Sequence, residues 1–303
     1  MELQDVFLLL GGLALFLYGM NTMCANLEVA AGDRLKSVLE TLTSNRLLGV
    51  LVGAGITAVI QSSSATTVMV VGFVNSGLMT LTQAVGVIMG ANIGTTVTGL
   101  LIALDIGMIA PLIAFVGVAL TMLSKKEKVA CVGQIIAGLG ILFIGMDLMS
   151  SAMAPLREYE PFIQLLTRFS NPILGILTGM IFTAIIQSSS ASIGILQALA
   201  FSGLIGLDSA VYVLFGQNIG TCITAVLAAL GGNRNAKRTT IIHLTFNVIG
   251  TALFTAICLL TPFVEVIQGF LPGDVPSQIA VTHVIFNITT TVVLFPFGNR
   301  LAD

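Results

Sequence analysis

The sequence predicts an all-α polytopic membrane protein whose two halves repeat each other. Of its 303 residues, 56% are hydrophobic and 9% are charged, and the mean hydropathy is +1.03. Water-soluble domains carry about a quarter charged residues, so most of this chain must face lipid. The second observation is a glutamine followed by three serines (QSSS), which occurs at residues 61–64 and again at 187–190.

Seven apolar runs have a length typical of membrane-spanning helices. They cover residues 6–24, 82–104, 107–123, 131–149, 209–230, 239–260 and 278–297. The first run follows Glu2 and Asp5, whereas a signal peptide would begin with basic residues. We therefore expect a retained helix at this end of the chain.

Two further apolar segments, residues 47–77 and 173–203, are interrupted by the polar QSSS sequence. Each arm has about 13 or 14 residues and reaches roughly 20 Å, short of the roughly 30 Å hydrocarbon core. Each segment is therefore predicted to form a re-entrant helical hairpin whose QSSS tip ends near the middle of the membrane. Such a tip is stable only when protein or a water-filled cavity surrounds it.

An internal repeat relates the two hairpins at an offset of 126 residues. Residues 57–65 match 183–191 at eight of nine positions, and GANIGT at 90–95 matches GQNIGT at 216–221 at five of six. An offset without gaps over this distance indicates duplication. The predicted units are a first repeat at 1–126, a second repeat at 127–260 and an additional C-terminal transmembrane helix at 261–303.

The basic residues predict the orientation. With both hairpins re-entrant, each repeat crosses the membrane three times, so the two repeats have inverted topologies. Arg157 and Arg168 then stand on one side, and the other side holds Arg34, Lys36, Arg46, Lys125, Lys126, Lys128, Arg234, Lys237, Arg238 and Arg300. The positive-inside rule places the larger group in the cytoplasm, with the N-terminus outside and the C-terminus inside. If each QSSS segment crossed once, the division would be nine against three, so arm length carries more of this prediction.

The QSSS tips have the chemistry of an anion site. Serine is a favoured N-cap, and the second arm of each hairpin starts at the tip. Free backbone N–H groups and the positive end of a helix dipole then point to the membrane centre. Two inverted hairpins would bring two such ends face to face. The hydroxyls that would join them are those of Ser62, Ser63, Ser64, Ser188, Ser189 and Ser190.

The GxNIGT elements are predicted to supply a cation site. Paired glycines flank Asn92 and Asn218 inside otherwise apolar helices, and we expect them to break those helices. Broken transporter helices expose carbonyl oxygens, which are the ligands that hard cations prefer. The candidate side-chain ligands are Gln61, Thr66, Asn92, Thr95, Gln187, Ser192, Asn218 and Thr221.

Helix packing is the alternative role for these residues, because serine, threonine and glycine commonly join membrane helices. Duplication at one offset favours a site for QSSS, whereas Thr57 and Thr183 fit either role equally well. The H-x-x-F-N sequences at 243–247 and 283–287 place a histidine and an asparagine on one helix face. For them, hydrogen bonds to neighbouring helices are favoured over a role in lining a cavity.

The predicted membrane segments contain no lysine or arginine. An anion inside them cannot be neutralised by a fixed basic side chain, and moving it unpaired through lipid is prohibitive. Cations bound together with the anion are the remaining solution, which predicts symport. With 12 basic and 14 acidic residues, the chain lacks the excess of positive charge that is typical of nucleic-acid-binding proteins. The cysteines and histidines are not spaced as the ligands of a transition metal are. The sequence shows no catalytic dyad, so an enzyme is not expected.

Paired QSSS sequences, each followed by G-x-N-I-G-T, resemble the type II sodium-dependent phosphate cotransporter family. The resemblance covers essentially the whole chain and implies cotransport of sodium and inorganic phosphate across the cell (inner) membrane. It also implies an elevator motion of the hairpins against a scaffold, often in a homodimer, with sodium as coupling ion and no cofactor. Carried over by motif, the phosphate ligands are Gln61, Ser62, Ser63, Ser64, Gln187, Ser188, Ser189 and Ser190.

Two rival functions remain open at this point. One is a cation-coupled transporter of another small anion, such as sulfate or a dicarboxylate, although a carboxylate would gain from an arginine that the interior lacks. The other is a passive anion channel, which needs a continuous pore with weak sites. Two opposed hairpin tips would close such a pore.

Overall fold

The computed structural model describes residues 3–32, 37–39 and 45–302, so Arg34 and Lys36 of the charge count lie outside the described residues. Every regular element in this part of the chain is helical. The helices that it delimits are α1 (Leu3–Ala31), α2 (Arg46–Ile60), α3 (Ser63–Ser76), α4 (Leu81–Ile102), α5 (Ala110–Leu123), α6 (Glu127–Met153), α7 (Glu160–Thr167), α8 (Pro172–Ile186), α9 (Ser189–Phe201), α10 (Leu207–Gly220), α11 (Ile223–Ala229), α12 (Arg234–Leu260), α13 (Phe263–Phe270), α14 (Val275–Leu294) and α15 (Gly298–Ala302).

Six helical spans within the described residues are long and apolar enough to cross a membrane. They are Leu3–Ala31, Leu81–Ile102, Glu127–Glu158, Leu207–Ala229, Arg234–Leu260 and Val275–Ala302. These spans are consistent with the predicted polytopic membrane protein. The expected seventh helix, at 107–123, forms an apolar element of fewer than 18 residues (Gly107–Leu123), so it falls short of the other six.

Helices α1 and α6 pack closely through four glycines. Gly12 lies against the backbone of Gly145, and Gly19 lies against the backbone of Gly138, so closely that a Cβ on any of the four would collide. Because the later residue of one helix meets the earlier residue of the other, the two helices are antiparallel. Gly12 and Gly138, like Gly19 and Gly145, are 126 residues apart.

The first arm of each hairpin packs on a GxNIGT helix, α2 on α4 and α8 on α10. A Cβ on Gly90 would collide with the carbonyl oxygen of Val50. A Cβ on Gly216 would collide with the carbonyl oxygen of Ile176 in the same way. The same contact therefore occurs in both halves at the 126-residue offset.

The structure corrects the prediction of a broken helix for the first GxNIGT element, and the second is interrupted only by a two-residue turn. Helix α4 runs without interruption from Leu81 to Ile102. In the second half, α10 and α11 are separated only at Thr221 and Cys222. Both residues keep helical torsion angles, with φ/ψ of −57°/−27° and −65°/−17°. The glycines allow a hairpin arm to approach the helix, so most backbone carbonyls stay in the helical ladder.

The first QSSS segment begins and ends at the same end of the helix bundle. Arg46, at its start, donates to the Phe295 carbonyl over 2.7 Å, just before α15. Near the end of the segment, the side-chain oxygen of Asn75 accepts a hydrogen bond from the backbone N–H of Asn233 at 2.8 Å. The backbone carbonyl of Asn75 accepts a second one from the side-chain amide of Asn233 at 2.9 Å. Asn233 begins α12, which contacts α15. The chain thus returns to the end from which it started.

The second QSSS segment also returns to its starting point. The 3-10 turn Ala154–Glu158 and helix α7 lead into α8. Arg157 of that turn donates its Nε hydrogen to the carbonyl of Ser202, directly after α9. Phe169, just before α8, and Leu199, near the end of α9, line one cavity, so the two ends of the segment lie close together.

Candidate functional site

Both QSSS turns have the same backbone conformation. Gln61 and Gln187 end α2 and α8 with φ/ψ of 57°/25° and 58°/21°, in the left-handed region that few residues other than glycine adopt. Their backbone N–H groups donate to the carbonyls of Thr57 and Thr183, at 2.8 Å in each turn. A left-handed residue of this kind closes the last turn of a helix and redirects the chain.

The next residue in each turn starts the following helix. Ser62 accepts a hydrogen bond from the backbone N–H of Ala65 at 3.1 Å, and Ser188 accepts one from Ala191 at 3.2 Å. Each serine is therefore an N-cap, as the sequence predicted. The first N–H groups of α3 and α9 have no acceptor within their own helices, and the positive dipole end lies with them.

Behind each turn, one pair of hydroxyls joins the two arms. The side chains of Thr57 and Thr66 are 2.9 Å apart, and those of Thr183 and Ser192 are 2.7 Å apart. Nine residues of straight helix would separate such groups by roughly 13 Å, so the chain folds back at each turn. The pairs therefore place hydroxyl oxygens next to both tips.

The two turns meet in one cavity of about 210 Å³. Ser190 Oγ donates to the Gln61 carbonyl at 3.3 Å, and Thr224 Oγ1 donates to Ser64 Oγ at 3.3 Å. The cavity is lined by Met20, Asn21, Cys24, Gln61, Ser62, Ser63, Ser64, Gln187, Ser188, Ser189 and Ser190. The structure thus brings together all eight residues that the sequence proposed for the anion.

The cavity offers donors without a compensating charge. None of the described residues that line it is charged. Ser63, which is 4% exposed, has a buried hydroxyl with no hydrogen-bond partner in the described part of the chain. A buried hydroxyl without a partner costs about 1–3 kcal/mol, and a bound oxyanion would remove that cost.

The two glutamines differ, although the sequence treats them alike. Gln61 is 6% exposed, its side-chain oxygen accepts from Thr98 at 2.9 Å, and its amide donates to the Ala58 carbonyl. Gln187 is exposed on the cavity lining. Gln61 therefore braces its turn through its side chain, while the side chain of Gln187 is more accessible to a ligand.

The remaining cation candidates lie outside the lining of this cavity. They are Thr66, Asn92, Thr95, Ser192, Asn218 and Thr221. The amides of Asn92 and Asn218 donate to the carbonyls of Ile88 and Leu214, one helical turn back, at 2.8 and 2.9 Å. This orientation leaves Asn92 Oδ1 as a free acceptor, whereas Asn218 Oδ1 lies 3.1 Å from His283 Nε2. Since the backbone is helical here, side-chain oxygens rather than broken-helix carbonyls are the available cation ligands.

Sequence reasoning missed several residues around the tips. Thr98 and Thr224, which contact Gln61 and Ser64, are themselves 126 residues apart, so a complete comparison of the two halves could have found them. The contribution of α1 to the cavity had no comparable signal. It consists of Met20, Asn21 and Cys24.

A family model described as Na+/Pi-cotransporter matches residues 15–151 and 157–270, which include both QSSS turns and both GxNIGT helices. The chain belongs to the Na+/Pi-cotransporter family. This membership confirms the resemblance seen in the sequence, and the family is one of transporters rather than enzymes. Together with the six apolar spans, membership of the Na+/Pi-cotransporter family makes the chain a multi-pass membrane protein.

Relatives of the Na+/Pi-cotransporter family differ in how much of their length the chain matches. It is 35% identical to YqeW of Bacillus subtilis (strain 168), an uncharacterized protein, over 94% of this chain and 92% of YqeW. It is 27% identical to YjbB of Escherichia coli (strain K12), whose name refers to inorganic phosphate export, over 97% of this chain but 54% of YjbB. Human sodium-dependent phosphate transport protein 2B is 37% identical over 33% of this chain and 15% of its own length. No solved structure matches the chain.

Proposed function

We propose that this protein is a symporter that moves inorganic phosphate together with sodium across the cell membrane. The observation that carries the proposal is the meeting of both QSSS turns around one cavity of about 210 Å³. Phosphate is the anion because YjbB and the human relative both carry phosphate in their names. Sodium is the coupling ion because the name of the human relative states sodium dependence.

The geometry of the tips supports phosphate binding. The N-termini of α3 and α9 direct free N–H groups and two helix dipoles at the cavity, which is a favourable arrangement for an oxyanion. Hydroxyls of both turns line the same space, among them the unpartnered one of Ser63. The four oxygens of a tetrahedral phosphate could accept hydrogen bonds from both hairpins at once and would hold the two tips together.

The uncharged lining of the cavity supports coupling to a cation, which we propose is sodium. No lysine or arginine is among the described residues that line the cavity, so phosphate would enter with cations or remain uncompensated in a low-dielectric interior. Oxygens suited to sodium lie behind the tips in the pairs Thr57–Thr66 and Thr183–Ser192. The Oδ1 atoms of the GxNIGT asparagines add further ligands. Bound sodium would then offset the charge of phosphate during transport.

Alternating access by inverted repeats is the proposed mechanism, with 1–126 and 127–260 as the repeats and 261–303 as an added helix. The antiparallel packing of α1 and α6, which are equivalent at the 126-residue offset, supports an inverted relationship. The hairpins, each of which returns to its starting end, would move as elevator elements against a scaffold. We also propose a homodimer as the assembly, as the family resemblance implies.

The proposed orientation puts the N-terminus outside the cell and the C-terminus in the cytoplasm. The contacts of Arg46 with Phe295 and of Arg238 with the Ala302 carbonyl gather basic residues at the C-terminal end, which supports a shared cytoplasmic side. Arg157 lies at the opposite hairpin and would face outside.

Uptake of labelled phosphate into proteoliposomes tests the function. The proposal expects saturable uptake that requires sodium outside and is lost when potassium replaces it. Excess sulfate and excess dicarboxylate serve as competitors, because inhibition by either at low concentration would favour a different anion. Ion conductance at channel rates without sodium would reject symport.

A further inference from the structure

His283 of α14 forms a buried hydrogen bond to Asn218 of the second GxNIGT helix. Its Nε2 lies 3.1 Å from Asn218 Oδ1, and the two residues are 1% and 7% exposed. The Asn218 amide nitrogen already donates to the Leu214 carbonyl, so the atom that faces the imidazole is the acceptor oxygen. His283 Nε2 must therefore carry the hydrogen and donate it.

This hydrogen bond is the only one that the described residues give to the His283 ring. Its second nitrogen, Nδ1, is buried and has no partner among them. Nδ1 faces Gly99 of α4, at 3.9 Å from the position that a Cβ on Gly99 would take. The ring thus lies between helices of both repeats, and its polar contact serves Asn218 alone.

The first repeat contains no equivalent of this contact in its described part. The Asn92 amide makes the same helical hydrogen bond as that of Asn218, but no histidine contacts it. His243, which occupies the other H-x-x-F-N sequence and is also 1% exposed, has both ring nitrogens buried without partners among the described residues. Two similar sequences therefore place their histidines in different environments, and His243 provides a matched control.

We propose that His283 is a positioning residue that fixes Asn218 Oδ1 as a sodium ligand. A carbonyl oxygen has two lone pairs, so Oδ1 can accept from His283 and coordinate a cation at once. Partners behind a metal ligand fix its orientation, and their loss commonly weakens metal affinity by about 10- to 100-fold. The inference rests on the proposed sodium coupling. It makes the two asparagines unequal, because only Asn218 is held by a partner from the added helix.

Sodium activation of phosphate uptake in four variants tests this proposal. His283→Phe should raise the half-saturating sodium concentration by about 10- to 100-fold and leave the phosphate KM at saturating sodium near the wild-type value. His283→Gln, which keeps a side-chain N–H, should recover most of the sodium affinity. His243→Phe and His243→Gln should leave sodium activation unchanged.

A double variant separates positioning from a general structural effect. If His283 acts through Asn218, Asn218→Ala and Asn218→Ala/His283→Phe should require the same sodium concentration. Additive effects would overturn the proposal, and so would wild-type sodium activation in folded His283→Phe or in Asn218→Ala. Wild-type uptake that ignores sodium would instead reject the proposed function. Elution and melting of each purified variant in detergent identify those that are folded. If His283→Phe is not folded, the sodium activation of Asn218→Ala decides the proposal.

Discussion

Ser190 Oγ donates a hydrogen bond to the main-chain carbonyl of Gln61 over 3.3 Å, between residues 129 positions apart in the sequence. The donor belongs to the second QSSS turn, and the acceptor is the left-handed residue of the first. The contact therefore fixes the distance between the two tips and helps to define the shared cavity. Any movement of one hairpin against the other must break it.

Removal of the Ser63 hydroxyl should weaken phosphate binding without weakening the fold. Hydrogen bonds to charged groups contribute about 1.5–3 kcal/mol, which corresponds to about a 10- to 100-fold rise in the phosphate KM for Ser63→Ala. The variant should melt no lower than wild type, because the hydroxyl has no partner in the described part of the structure. Ser76→Ala, at the far end of the same helix, is the control for uptake kinetics. A wild-type KM for Ser63→Ala would remove this hydroxyl from the site.

Loss of the Ser190 hydroxyl should have a smaller effect that involves both tips. A neutral hydrogen bond contributes about 0.5–1.5 kcal/mol, so Ser190→Ala should raise the phosphate KM by roughly 2- to 10-fold. Ser209→Ala removes another buried serine hydroxyl, outside the cavity lining, and should leave the KM unchanged. Kinetics of labelled phosphate uptake measure both variants. Equal effects of the two substitutions would contradict a specific role for the contact between the hairpins.

A methyl group at Gly90 or Gly216 should destabilise the protein. Each Cβ would collide with a carbonyl of the neighbouring hairpin arm, and overpacking of this kind costs about 1–3 kcal/mol, or roughly 2 to 12 °C in melting temperature. Gly55→Ala is the matched control, because no atom of the described residues lies within 4 Å of its added Cβ. The melting temperatures of the variants in detergent are compared, with size-exclusion chromatography as the readout of folded protein. If Gly90→Ala had the same melting temperature as Gly55→Ala, the close packing of α2 on α4 described above would be contradicted.

Truncation of Asn92 should affect sodium more than phosphate. Its Oδ1 is the free acceptor of the first GxNIGT helix, so Asn92→Ala should raise the sodium concentration needed for half-maximal uptake by about tenfold. The phosphate KM at saturating sodium should change much less. Asn75→Ala, at the end of the first hairpin, controls for loss of an asparagine elsewhere. Unchanged sodium activation in Asn92→Ala would argue against its role as a cation ligand.

The sequence predicted the local structure at the tips well, because the polar residues there determine it. Gln61 and Ser62 end one helix and begin the next through backbone and side-chain bonds within a few residues. The same residues recur at the 126-residue offset, so both turns could be located together. Helix ends of this kind depend on local chemistry that a sequence displays.

The tertiary role of the glycines could not be predicted from sequence. The glycines that flank Asn92 predict a break in the helix, yet Gly90 allows the close approach of the Val50 backbone. Which role a glycine has depends on the element that packs against it. The contacts of His283 with Asn218 and of Ser190 with Gln61 join segments that are distant in the sequence. They also depend on how elements pack, so the residue pattern within each segment does not predict them.

Sodium-dependent uptake of labelled phosphate by the purified full chain in proteoliposomes tests the central claim most directly. The account predicts saturable uptake that requires a sodium gradient, with a raised phosphate KM in Ser63→Ala and a raised sodium requirement in Asn92→Ala. Phosphate uptake that is equal in sodium and potassium, or unaltered by both substitutions, would contradict it.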